Sequence, residues 1–232
     1  KAVAEERVRQ FAEGLGKQIA NAAYKIDVSQ FKDPDVQACL NDAVISAARR
    51  GQASNPEMLC KLIVERHSNK TDTFKDIVIA ESLQIVPKLT EQHINILCIV
   101  HVVQSVYFKG LSSLSELELF ANDIKPIFQS NLDLSETQKR HMQYTGACTY
   151  NSSQVINPYE NLFNGYKTIG YKNLDAFTSA FKSEAPIYDE MIKNYGAHYL
   201  FNLSLTSVGQ AIALARLNTY IRQEFDFNIW IH

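Results

Sequence analysis

Glu91-Gln-His-Ile-Asn-Ile-Leu-Cys-Ile-Val-His-Val-Val-Gln-Ser-Val-Tyr-Phe-Lys-Gly110 is the most hydrophobic stretch of the chain, and its reading decides the fold. The apolar run from Ile94 to Phe108 is broken only by Asn95, His101, Gln104 and Ser105. It falls short of the ~20 apolar residues that cross a bilayer as a helix. Apolar on nearly every side, it reads as a helix buried at the centre of a globular protein and closed by Gly110 at its carboxyl end. Such a helix needs others around it, and the flanking sequence supplies them.

Helix-start signals recur on both sides. Asp33-Pro34, Asn55-Pro56 and Asn157-Pro158 each pair a side-chain acceptor with a proline suited to the first helical position. Ser113-Leu-Ser-Glu116 and Ser135-Glu-Thr-Gln138 read as capping boxes. Apolar residues at three- and four-residue steps, such as Val3, Val8, Phe11, Leu15 and Ile19, predict helices over residues 2–25, 34–50, 56–67, 73–89, 91–109, 115–129 and 136–150. Pro87 should end the fourth of these early, and Pro126 should kink or split the sixth. Short connections favour antiparallel packing of neighbours.

Composition changes after residue 144. Tyr144, Tyr150, Tyr159, Tyr166 and Tyr171 stand among Asn, Ser and Gly, so helicity should break up. Residues 175–181 and 187–195 read as short helices, 198–205 as a strand, and 208–222 as a last long helix capped by Thr206. The expected fold is mainly α: a multi-helix bundle over residues 1–150, with a smaller C-terminal region over 151–232 packed on it. That region reads as able to carry a short β hairpin or a winged-helix-like section. The tail Phe225-Asp-Phe-Asn-Ile-Trp-Ile231 ends wholly apolar and should dock, on the body or on a partner. The chain starts at Lys1, without Met, inside a helical pattern, which reads as a piece of a longer protein.

Composition is that of an ordinary globular protein: 232 residues, 46% hydrophobic, 21% charged, net charge −2 and pI about 6.3. A mild negative charge disfavours nucleic acid as the main partner. Strand-then-helix order at 198–222 gives a DNA-binding alternative. Against it, residues 144–232 hold six basic side chains and seven acidic ones. Cys39, Cys60, Cys98 and Cys148 are far apart, without metal-site spacing, and read as buried thiols of a cytoplasmic protein, each on a helix. The triplets at Asn69, Asn151 and Asn202 occur at about the chance frequency and give no sign of secretion.

Catalytic signatures are missing. Cys98 and His101 can share a helix face, but no further ligands lie nearby in sequence. Adjacent carboxylates such as Asp189 and Glu190 diverge on a helix. Gly14-Leu-Gly16 lacks the third glycine and preceding strand of a nucleotide loop. A metal-dependent helical hydrolase gathering His67, His93 and His101 is the enzyme alternative; the favoured reading has no cofactor and no catalytic residue.

Tyrosine presents a rigid apolar face with a polar tip, which suits contact surfaces. Tyr150, Tyr159, Tyr166, Tyr171 and Trp230 are therefore the expected interaction surface. Asp33-Pro-Asp-Val-Gln-Ala-Cys39, residues 59–66, 77–89 and 203–213, and Ile229-Trp-Ile231 resemble an uncharacterised family of bacterial helical proteins. The chain is also loosely similar to the helical domains called abortive-infection alpha. The resemblance lies in packing and capping positions. It implies a bacterial cytoplasmic protein, tied to phage defence, and carries over no site residues. The expectation is a non-enzymatic interaction or regulatory module that binds a protein partner or itself.

Overall fold

A computed structural model describes residues 2–23, 28–66 and 73–231. Thirteen α-helices and one two-stranded sheet occupy these residues, a mainly α fold as the sequence periodicity predicts. Helices α1 (Ala2–Asn21), α2 (Pro34–Arg50), α3 (Pro56–Arg66), α4 (Thr73–Ile85) and α5 (Glu91–Ser105) come first. Then follow α6 (Leu117–Asp123), α7 (Lys125–Phe128), α8 (Glu136–Tyr144), β1 (Cys148–Tyr150), α9 (Pro158–Gly165), α10 (Leu174–Glu184) and α11 (Pro186–Ala197). The chain closes with β2 (Leu203–Leu205), α12 (Ser207–Leu217) and α13 (Phe227–Trp230). The expected helix ends at Lys25 and His67, and the triplet at Asn69, lie outside the described residues.

Every residue of α5 from His93 to Val103 is buried. Its main cover is α12, which also lies against α3 and α4. Small side chains (Ala211, Ala213, Ala215) let α12 come close, and the Cys98 thiol donates to the Ala213 carbonyl at 3.6 Å. The polar residues that interrupt α5 in sequence are its ties to other elements. Asn95 donates to Ser130 Oγ at 3.1 Å and accepts from Arg216 Nε at 3.4 Å. Gln104 donates to the Leu203 carbonyl at 2.8 Å and to Tyr195 Oη at 3.0 Å. One apolar core therefore runs from Phe11 to Ile231, with α12 inside the layer formed by the amino-terminal helices.

Most predicted starts are present, with local differences. Asp33, Asn157 and Thr206 cap α2, α9 and α12 through their side chains. Ser135 and Gln138 form the expected box. Asn55 differs: it sits at φ 54°, and its amide donates to the Val86 and Leu89 carbonyls at 3.2 and 3.0 Å. Its side chain fastens the start of α3 to the turn after α4. Pro87 and Pro126 break the helices where the missing N–H requires it, leaving a 3-10 turn (Val86–Lys88) and the separate helix α7. Glu118 on α6 stands in for a cap on α11, accepting from the Ile187 and Tyr188 amides at 2.8 and 3.3 Å.

Four expectations need correction, the first being the central helix, which stops at Ser105, where Val106 turns extended, and does not run to Gly110. The helix over 136–150 ends at Tyr144, because Gly146 turns the chain at φ 84° into β1; Cys148 therefore lies on a strand. Strand β1 pairs antiparallel with β2 in the register Cys148↔Leu205, Thr149↔Ser204 and Tyr150↔Leu203. The sheet is thus no hairpin, since α9, α10 and α11 lie between its strands. The last long helix stops at Leu217, where Asn218 turns back to bracket Phe225, donating to its carbonyl at 2.9 Å and accepting from its N–H at 2.8 Å.

Strand β1 and helix α12 meet at Gly209. A Cβ built there would lie 1.9 Å from the Ala147 carbonyl oxygen. Backbone on both sides leaves nothing flexible to yield, so Gly209→Ala should cost at least about 2 kcal/mol. At Gly165 the nearest atoms a Cβ would meet belong to the ring of Tyr107, a partly exposed side chain and not backbone. Urea denaturation should therefore show a much larger midpoint loss for Gly209→Ala than for Gly165→Ala.

Candidate functional site: an apolar groove beside the C-terminal tail

The apolar tail docks on the body of the protein. Asp226 caps α13 by accepting from the Asn228 amide at 2.9 Å. Phe227 and Ile231 are buried. Lys75, fully buried on α4, donates to Glu65 at 2.8 Å and to Asn228 Oδ1 at 3.3 Å, with the Phe227 ring 6.0 Å from its Nζ. Lys61 pairs with Glu224 just before the tail. Trp230 meets His101 of α5 edge-on, with ring centroids 4.8 Å apart.

Beside this docked tail lies a groove of about 630 Å³ between the α6 side of the bundle and residues 221–229. Phe108, Phe120 and Phe225 supply its rings, Phe108 and Phe120 at 5.0 Å and Phe120 and Phe225 at 5.9 Å. Phe225 in turn touches Trp230 at 6.2 Å, so a row of rings runs from the groove to His101. Leu119 and Ile229 border it and are 78% and 64% exposed. Glu116, Asp123, Glu224 and Asp226 also line it, with Arg222 as the single basic lining residue. A second cavity, about 370 Å³, sits between α1 and α2 and is more polar, with Arg7, Gln10, Arg50 and Gln52 in its wall.

The tyrosines expected to form a contact surface have partners inside the protein. Tyr166 is 2% exposed and accepts from the Phe108 amide at 3.4 Å; burial pushes its phenol up to about 12. That burial removes Tyr166 from any surface. Tyr159 donates to Asp189, and burial first, then this carboxylate, raises its pKa. Tyr171 donates to Glu184 at 2.9 Å, and Tyr150 to Glu136. Their rings pack onto the core, Tyr159 against Phe181 and Tyr171 against Phe177. None of the expected surface residues lines the groove; Trp230 touches its lining through Phe225, and buried Tyr166 through the Phe108 amide.

Sequence reading missed Phe108, Leu119 and Phe120, and had Phe225 only as the first residue of the docking tail. Leu119 carried a usable signal: Leu117, Ala121 and Ile124 follow helical steps into the core, and Leu119 falls off that face.

The histidines do not converge. His93 Nδ1 accepts from the Thr90 amide at 3.3 Å while the Thr90 hydroxyl accepts from the His93 amide at 3.2 Å, a capping box not foreseen in the sequence. His101 is sealed under Trp230. His67 lies outside the described residues. Among the described residues no three His, Cys, Asp or Glu side chains are grouped for a metal ion. The four cysteines are free and buried, and burial pushes the thiols of Cys60 and Cys148 up to about 12, which leaves them poor nucleophiles at neutral pH.

A family model matches residues 1–175 and, in a second segment, residues 160–231. The chain belongs to this uncharacterised family. Membership brings no activity and no site residues with it, and it lends no support to the abortive-infection likeness. No curated protein and no solved structure gives a match.

Buried His101, with neither ring nitrogen hydrogen-bonded, has its pKa lowered by burial from 6.5 to about 4. Burial and the facing His141 lower that of His93 as well. Between pH 6.5 and 4 the unfolded chain binds a proton that the folded His101 refuses. Stability should therefore fall as pH drops through that window, by up to about 3 kcal/mol from His101, and level off below it. His101→Phe removes two unsatisfied buried nitrogens without removing the ring. Urea midpoints should show the variant at least as stable as the parent at pH 7, with a clearly smaller acid loss.

Proposed function

We propose that this chain is a non-enzymatic protein-interaction module that docks a protein in the groove between α6 and residues 221–229. The observation carrying this reading is the placement of exposed Leu119 and Ile229 on a ring-lined concavity. Apolar side chains scattered singly on a surface need no explanation, whereas a contiguous apolar patch rimmed by charge marks contact sites. Phe108, Phe120 and Phe225 give such a patch the aromatic content from which binding energy is usually drawn.

The DNA-binding alternative depends on a helix free to enter a groove of the duplex. Helix α12 buries Val208, Gly209 and nearly all residues from Ala211 to Leu217, and so offers no such face. The purified chain should leave duplex DNA unretarded at low salt, where phosphate-driven binding is strongest. The resemblance to bacterial helical proteins and abortive-infection alpha domains suggests a cytoplasmic defence setting for the module, and the groove argument stands apart from it.

A photo-crosslinking phenylalanine analogue tests the docking site. Placed at Leu119 in the protein made by its own cells, it should yield adducts with a second polypeptide. The same analogue at Tyr144 or Val155, exposed but outside the groove lining, should yield none. Lack of adducts at 119, or equal adducts at all three positions, would remove the docking reading.

A further inference from the structure

We infer that the groove takes a basic amphipathic helix of a partner protein. The inference rests on the docking reading above and names the chemistry of the occupant. Four carboxylates (Glu116, Asp123, Glu224 and Asp226) line the groove against Arg222. Lys61 matches Glu224 from outside the lining. Among the described residues no cation is paired with Glu116, Asp123 or Asp226. Glu116 is fixed as an anion in this role, since the Ser112 hydroxyl and the Ser112 and Ser113 amides donate to its carboxylate at 2.6, 2.8 and 3.1 Å. Asp226 holds its place by capping α13.

An apolar floor with an acidic rim selects a ligand of the opposite pattern: an apolar stripe flanked by Lys or Arg. Helix-in-groove docking delivers that pattern, with apolar anchors at i, i+3, i+4 and i+7 seated on rings and the flanking cations left at the rim. Strand addition does not suit this place, because β1 and β2 contribute nothing to the lining. A second copy of this chain suits it poorly. Its longest amphipathic helix, α1, sets Glu5, Glu6 and Glu13 beside Arg7, Arg9 and Lys17, and the chain as a whole is acidic. Like charge at the rim penalises acidic partners and speeds encounter with basic ones.

The test uses two fluorescently labelled amphipathic helical peptides, one of Leu and Lys and one with Glu replacing each Lys, read by anisotropy at low and high salt. The Leu/Lys peptide should bind and weaken as salt rises, while the Leu/Glu peptide should not bind. Asp123→Lys should lower affinity for the Leu/Lys peptide about tenfold. Leu119→Ser should lower it by a similar factor without changing its salt dependence. Both side chains are at least partly exposed, and circular dichroism confirms that each variant is folded. Equal binding of the two peptides, failure of the Leu/Lys peptide to bind, or indifference to both substitutions would overturn the inference. So would light scattering that shows a dimer dissociated by Leu119→Ser, since a second copy would then fill the groove. Adducts at position 119 without binding of the Leu/Lys peptide would leave the docking reading standing and remove the basic helix.

Discussion

Burial of α5 on every side is the constraint from which the rest of the architecture follows. A helix of fifteen residues with eleven in the core has no face of its own to give to water, so each neighbour must meet it at close range. Helix α12 does so by being small: alanines at the contact, and a glycine where strand β1 and its preceding carbonyl press in. The two helices come from distant parts of the sequence, which makes the carboxyl-terminal residues necessary to the same core as the amino-terminal ones. Their polar interruptions serve this arrangement. Asn95 and Gln104 replace water with Ser130, Arg216, Leu203 and Tyr195, so that the most apolar helix is also oriented by hydrogen bonds.

Docking of the tail then shapes the groove. Asn218 turns the chain after α12, Lys75 receives Asn228 from within the core, and Phe227 seals that charge from solvent. Burying an ammonium is tolerable only where it is paired and hydrogen-bonded, as Lys75 is. The result fixes residues 221–229 opposite α6 and leaves the outward side chains, Ile229 above all, without cover.

Much of the fold could be read in the sequence because it is written locally. Caps at Asp33, Ser135, Asn157 and Thr206, and breaks at Pro87 and Pro126, are decided within a few residues by backbone donors and fixed φ. The β1–β2 pairing was not legible, since three-residue strands carry almost no alternation and their partner is set by tertiary packing. The site was legible only in part. The tail's apolar end pointed to docking, and Trp230 touches Phe225 of the groove, but tyrosine content does not tell a free ring from an occupied one: Tyr150, Tyr159 and Tyr171 are half-buried with their hydroxyls on carboxylates, Tyr166 is buried, and sequence does not show those partners. Phe108, Phe120 and Phe225 converge from three separate segments, and only the fold joins them.

The row of rings from Phe108 to His101 passes through Trp230, and the chain contains one tryptophan. The protein's indole emission therefore originates from one place, the latch where the tail meets the central helix. Light from that ring reports on two things at once. On one side it senses whatever displaces Phe225, and on the other the charge state of the imidazole beneath it.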